Sequence, residues 1–132
     1  MRRQRPGRDG GERRAGSCSG VPHLQVEFVS QGGIRVARVR GDVDLRTSPQ
    51  LRELLLDEAQ AASGLLAIEL SGVAYMDSSG VGTLVFVKRE AERAGRRVVL
   101  AGLQPRVRSV LEITHLDKFF TIVADLGEVR GL

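Results

Sequence analysis

The sequence predicts an α/β domain, a mixed β-sheet of about five strands packed with helices in the order ββαβαβαβ. Three observations predict it. Residues 24–39 alternate apolar and polar side chains around a Gly-Gly pair. Two short, almost wholly apolar runs, 65–70 and 97–101, read as strands covered on both faces, and each is followed by apolar residues at helical spacing. Strands that alternate with helices of about 10 to 15 residues require parallel crossovers. The first strand is therefore expected as an antiparallel edge on an otherwise parallel sheet.

In the opening hairpin Leu24, Val26 and Phe28 alternate with Gln25 and Glu27. Gln31-Gly32-Gly33 turns the chain, and Ile34, Val36 and Val39 return interleaved with Arg35 and Arg38. Gly41-Asp42-Val43-Asp44 leads on into a loop. Thr47-Ser48-Pro49 starts the first helix: Ser48 is the expected cap, and Pro49 suits the first turn, where its missing N–H has no partner to lose. Leu51, Leu54, Leu55, Ala59 and Ala62 keep helical spacing until Ser63-Gly64. The strand 65–70 follows, broken only by Glu69, and after a short connection Asp77-Ser78-Ser79-Gly80 opens a second helix over 81–94, ended by Gly95. Residues 97–101 form the third interior strand. Pro105 starts a helix with Val107, Val110, Leu111 and Thr114 on one stripe, and 120–124 form the last strand.

The chain of 132 residues carries 20 Lys and Arg against 16 Asp and Glu, net +4. That excess lies wholly in residues 1–20, where six Arg (2, 3, 5, 8, 13 and 14) face only Asp9 and Glu12. Rich in Arg and Gly and without apolar period, this stretch is expected to be a disordered tail, and residues 21–132 a single neutral domain. A basic appendage on a neutral body does not predict direct nucleic-acid binding. No apolar run approaches the roughly 20 residues of a membrane span, and neither Arg2-Arg3 nor Arg13-Arg14 precedes the apolar stretch of an export signal; the expected location is cytoplasmic. Cys18 has no second cysteine to pair with, and His23 and His115 offer no metal-ligand spacing, so neither a metal nor a cofactor is expected.

Chemistry concentrates at Asp77-Ser78-Ser79-Gly80. A strand that turns into a helix N-terminus presents free N–H groups and the positive end of a helix dipole. The plain reading is a helix cap. Three enzymatic readings fail on residue type. Gly80-Val81-Gly82 lacks the third glycine of a dinucleotide fingerprint, having Val85 there, and no acid for a ribose ends the following strand. A hydrolase elbow needs glycines two residues either side of the nucleophile, and Met76 and Asp77 occupy the upstream positions. A phosphate-binding loop needs Gly-Lys-Ser or Gly-Lys-Thr, which is absent. No catalytic residue is nominated, and the chain is not expected to be an enzyme. The remaining reading makes a serine the target of another enzyme: a phosphoserine adds about 1.5 to 2 negative charges, which a helix N-terminus tolerates and an approaching partner does not. Phe86 and Val87 widen the apolar stripe of the second helix, for which burial is the expected reason.

The run Tyr75-Met76-Asp77-Ser78-Ser79-Gly80-Val81-Gly82, with Gly41-Asp42-Val43-Asp44 and Thr47-Ser48-Pro49-Gln50-Leu51-Arg52 upstream, resembles the STAS family, and within it the bacterial anti-sigma-factor antagonists. The resemblance spans about residues 24–126. It implies that Ser78 is phosphorylated by a partner that is both serine kinase and anti-sigma factor. The unphosphorylated chain would bind that partner and release a sigma factor to activate transcription, and a serine phosphatase would reset it. By the same resemblance Gly41, Asp42, Asp44, Asp77, Ser78, Ser79 and Gly80 face the partner. The alternative is a STAS accessory subunit of a membrane transport or lipid-trafficking complex. Two departures from the family stand out: residues 126–132 leave barely two turns for a C-terminal helix that is usually longer, and the basic tail is not a family feature.

Overall fold

The computed structural model describes residues 14–15, 24–61 and 64–129. Six strands form one sheet in sequence order: β1 (Arg14–Ala15), β2 (Leu24–Gln31), β3 (Ile34–Val43), β4 (Leu65–Met76), β5 (Arg97–Ala101) and β6 (Thr121–Val123). The helices are α1 (Ser48–Ala61), α2 (Ser78–Arg93), α3 (Pro105–Ile113) and α4 (Leu126–Val129). β2 and β3 pair antiparallel, and β3 through β6 run parallel to one another.

The five expected strands and three expected helices are all present, and the hairpin turns where the glycines are. Gly32 and Gly33 both have positive φ, 57° and 85°, the two-residue turn whose twist matches the flanking strands, and Gln31 faces Ile34 across it. Alternation then buries Leu24, Val26 and Phe28 with Ala37 and Val39 on one face of the sheet. On that face α1 contributes Leu51, Leu55 and Ala59, α2 contributes Val81, Leu84, Val87 and Ala91, and α3 contributes Val107 and Leu111. The crossover helices thus cover one side, and a smaller cluster of Val36, Ala67, Val99, Ala101 and Val123 meets Val129 of α4 on the other. Glu58 of α1 is buried and accepts from the half-buried Arg35 Nε of β3, whose other arm donates to Ser30 Oγ at 2.7 Å. Pairing is what makes a buried Glu58 tolerable.

Several details differ from expectation. Arg14 and Ala15, in the stretch expected to be disordered, pair with Phe28 and Glu27, so β2 is not the outermost strand; an exposed strand edge offers unpaired N–H and C=O groups to any extended segment. The rest of residues 1–20 lies outside the described residues. β4 runs on from Leu70 to Met76 because two register shifts against β3, between Arg38 and Arg40 and between Arg40 and Asp42, absorb Ser71-Gly72 and its neighbours, which break simple alternation. β3 likewise continues through Gly41 (φ 116°) to Val43. α3 stops at Ile113, leaving Thr114 exposed as its C-cap rather than on the apolar stripe, and β6 is only three residues long.

Candidate functional site

The parallel strands β3 and β4 end side by side, with Asp42 opposite Tyr75 and Val43 opposite Met76. The Asp77 N–H donates to the Val43 carbonyl at 3.1 Å, which fixes the start of α2 against the end of β3. Asp77 is extended (φ −106°, ψ −170°) and caps the helix: its Oδ1 accepts from the N–H of Ser79 at 2.9 Å and of Gly80 at 3.4 Å. The same oxygen receives the Ser79 hydroxyl at 2.6 Å. A Cβ on Gly80 would stand 2.6 Å from both Met76 Cγ and Val43 Cγ1, so the missing side chain lets the first helical turn sit directly on the strand ends. Gly80 is buried and acts through that contact rather than at the surface.

The two serines differ. Ser79 is half-buried and committed to Asp77, while Ser78, the first residue of α2, is exposed, and no described residue hydrogen-bonds its hydroxyl. The cap and the free hydroxyl therefore belong to different residues.

Across from them, Asp42 is exposed and Asp44 is half-buried. Asp44 Oδ1 accepts from the N–H of Arg46 at 2.9 Å and of Thr47 at 3.2 Å. Partial burial alone would raise the Asp44 carboxyl, but those two N–H groups, the Arg46 guanidinium and the Thr47 hydroxyl outweigh it and hold the carboxyl below its ordinary value. Thr47 is buried: its hydroxyl donates to the Asp42 carbonyl at 2.8 Å and accepts from the Asp44 N–H at 3.0 Å. Ser48 is already helical and is not the cap; the Leu51 N–H bonds to the Thr47 carbonyl at 3.1 Å, because the Thr47 side chain is what ties the loop to α1.

The sequence-predicted residues Gly41, Asp42, Asp44, Asp77, Ser78, Ser79 and Gly80 thus gather at one end of the sheet, and of these only Asp42 and Ser78 are exposed. Sequence reading missed Leu45, which stands exposed between Asp44 and Arg46, and Tyr75, exposed opposite Asp42. The signal for Leu45 was a large apolar residue inside an otherwise polar turn. Of the pair on α2, Val87 is buried, and Phe86 is partly exposed with the Arg52 guanidinium 5.2 Å from its ring centre. Among the described residues no group of three or more His, Cys, Asp or Glu could hold a metal ion, and no helix is long and apolar enough to cross a membrane.

Comparison with known proteins places this geometry. The family model described as STAS domain matches residues 25–129. The anti-sigma-B factor antagonist of Listeria monocytogenes is 35% identical over 94 residues, covering 70% of this chain and 82% of the relative. The anti-sigma factor antagonist SpoIIAA in its unphosphorylated form superposes with a TM-score of 0.67 at 28% identity, over 83% of this chain and 97% of that one. The phosphorylated form of the Bacillus cell fate determinant SpoIIAA gives 0.61 at 27% identity, over 82% and 96%.

Proposed function

The chain belongs to the STAS-domain family, and on that premise we propose that it is an anti-sigma-factor antagonist switched by phosphorylation of Ser78. Unphosphorylated, it binds an anti-sigma factor with serine kinase activity and frees a sigma factor; phosphorylated, it lets go, and a serine phosphatase restores it. The observation that carries this reading is the exposed, unbonded hydroxyl of Ser78 beside a helix cap already completed by Asp77 and Ser79. A phosphate can be added there without removing any hydrogen bond from the domain. The charge of about −1.5 to −2 is accommodated by the positive end of α2, so the fold persists while the surface changes sign and bulk. Asp42, exposed one strand away, lies on the surface that changes. The names of the curated relatives favour this reading over an accessory subunit of a transport or lipid-trafficking complex.

The test uses the full chain, Ser78→Ala and Ser78→Asp against each kinase-type anti-sigma factor of the source organism, with ATP. Wild type and Ser78→Ala should bind one of them, wild type alone should take up phosphate, and Ser78→Asp should bind at least about tenfold more weakly. Phosphate uptake by Ser78→Ala at this motif refutes the site. Undiminished binding by Ser78→Asp refutes the charge switch.

A further inference from the structure

We infer that Leu45 is the apolar anchor of the partner-binding surface, and that Asp44 and Thr47 are positioning residues that present it. The inference rests on the antagonist reading above. Asp44 to Thr47 is a tight turn held from several sides: the N–H groups of Thr47 and Ser48 reach the Asp44 carbonyl at 3.1 and 2.8 Å, Asp44 Oδ1 takes the N–H of Arg46, and the Thr47 hydroxyl bridges the Asp42 carbonyl and the Asp44 N–H. Thr47 is 1% exposed, whereas Leu45 at the tip is 73% exposed. Asp44 Oδ1, which accepts from the N–H groups of Arg46 and Thr47, braces the turn. The residue that the brace delivers to solvent is an aliphatic side chain.

Four large apolar side chains are exposed among the described residues: Leu45, Tyr75, Phe86 and Ile113. Tyr75 lies beside the same turn through its pairing with Asp42, and Phe86 has a guanidinium over its ring. Ile113 ends α3, which starts from the Ser78 end of β5 and runs back to the other end of the sheet. At the Ser78 end of the sheet Leu45, 73% exposed against 43% for Tyr75, is thus the least covered apolar side chain. Because its backbone is already fixed, covering it gains apolar burial at little cost in ordering. With Asp42 exposed at its flank, the matching partner surface is an apolar pocket with a basic group at its rim.

The experiment measures affinity by titration calorimetry for the anti-sigma factor that the wild-type chain binds in the test above. Leu45→Ala should bind about tenfold more weakly or worse while melting with the wild type, since nothing buried is removed. Ile113→Ala, an equally exposed truncation (75%) at the far end, should bind within twofold of wild type. Thr47→Val, which keeps the shape and loses both hydroxyl bonds, should weaken binding of the folded protein, and Thr47→Ser should recover it. Wild-type affinity in Leu45→Ala, or an equal loss in Ile113→Ala, overturns the anchor and leaves the antagonist reading standing. A wild-type chain that binds none of the anti-sigma factors overturns both.

Discussion

Two glycines on α2, two residues apart, should respond to the same substitution with opposite sign. Replacing Gly80 by Ala places a methyl 2.6 Å from Val43 Cγ1, 2.6 Å from Met76 Cγ and 3.3 Å from Met76 Sδ. Val43 is β-branched and both neighbours are buried, so neither can swing aside into solvent. Overpacking of this kind costs about 1 to 3 kcal/mol, against which Ala gains up to about 1 kcal/mol of helix propensity, less in a first turn. The net expectation for Gly80→Ala is a loss of about 1 to 2 kcal/mol. At Gly82 a Cβ would meet nothing within 4 Å, and the site is exposed within the helix. Gly82→Ala should therefore stabilise by about 0.8 to 1 kcal/mol. Equilibrium urea unfolding of wild type and both variants, with m-values checked for equality, separates them by about 2 to 3 kcal/mol, and their melting temperatures should bracket the wild type. A Gly80→Ala protein as stable as wild type would mean that the helix start does not rest on the strand ends. The account of how Ser78 is placed would fall with it.

Two further outcomes follow from the loop and from the end of α3. Asp44 has a carboxyl pKa lowered by folding, so its contribution is complete above the unfolded value near 3.8 and disappears as pH falls through the folded value; the urea midpoints of wild type and Asp44→Asn should differ by a constant amount from pH 5 to 7 and converge below about pH 4, and a gap that widens in acid would contradict the assignment. His115 sits at φ 62°, just past α3, where the Leu116 N–H reaches the Leu111 carbonyl at 2.8 Å and the His115 N–H reaches Glu112 at 3.0 Å. A left-handed non-glycine costs about 1 to 2 kcal/mol and glycine returns part of that through its freer unfolded chain, so His115→Gly should stabilise by about 0.5 to 1 kcal/mol in thermal melts; an unchanged or lower melting temperature would show that the imidazole makes a compensating contact.

Periodicity carried most of the fold. The Gly-Gly turn, the apolar run of β5, and the spacings of α1 and α2 each pointed to one structure because local preference and burial agree there. Disagreement marks the misses. β4 beyond Leu70 could not be read, since two register shifts destroy the alternation on which strand reading depends, and only the pairing partner Asp42-Val43 rescues Tyr75-Met76 as strand. His115 could not be placed past the helix end because only glycine advertises a left-handed residue in a sequence. At the site, both motifs were legible and the structure brings their residues to one end of the sheet, but spacing could not divide the labour among them: Asp42 and Asp44 look equivalent in Gly-Asp-x-Asp, yet one side chain faces solvent and the other is folded into its own turn.

The same division decides the meaning of the Asp-Ser-Ser-Gly start. From residues alone, a helix cap and a modifiable serine compete for one position. In the structure they do not compete, because Asp77 supplies the cap, Ser79 donates to it, and Ser78 is left over with its hydroxyl outward. Had Ser78 been the cap, a phosphate on its oxygen would have displaced a bond to the helix N–H groups and coupled the signal to unfolding, since loss of a cap costs about 1 kcal/mol. With the cap one residue upstream, a modification at Ser78 changes charge and shape at the surface while every bond that seats α2 on β3 and β4 stays in place. A switch that must be reset repeatedly needs that separation, so that a phosphate on Ser78 would alter the surface a partner meets and leave the fold as it is.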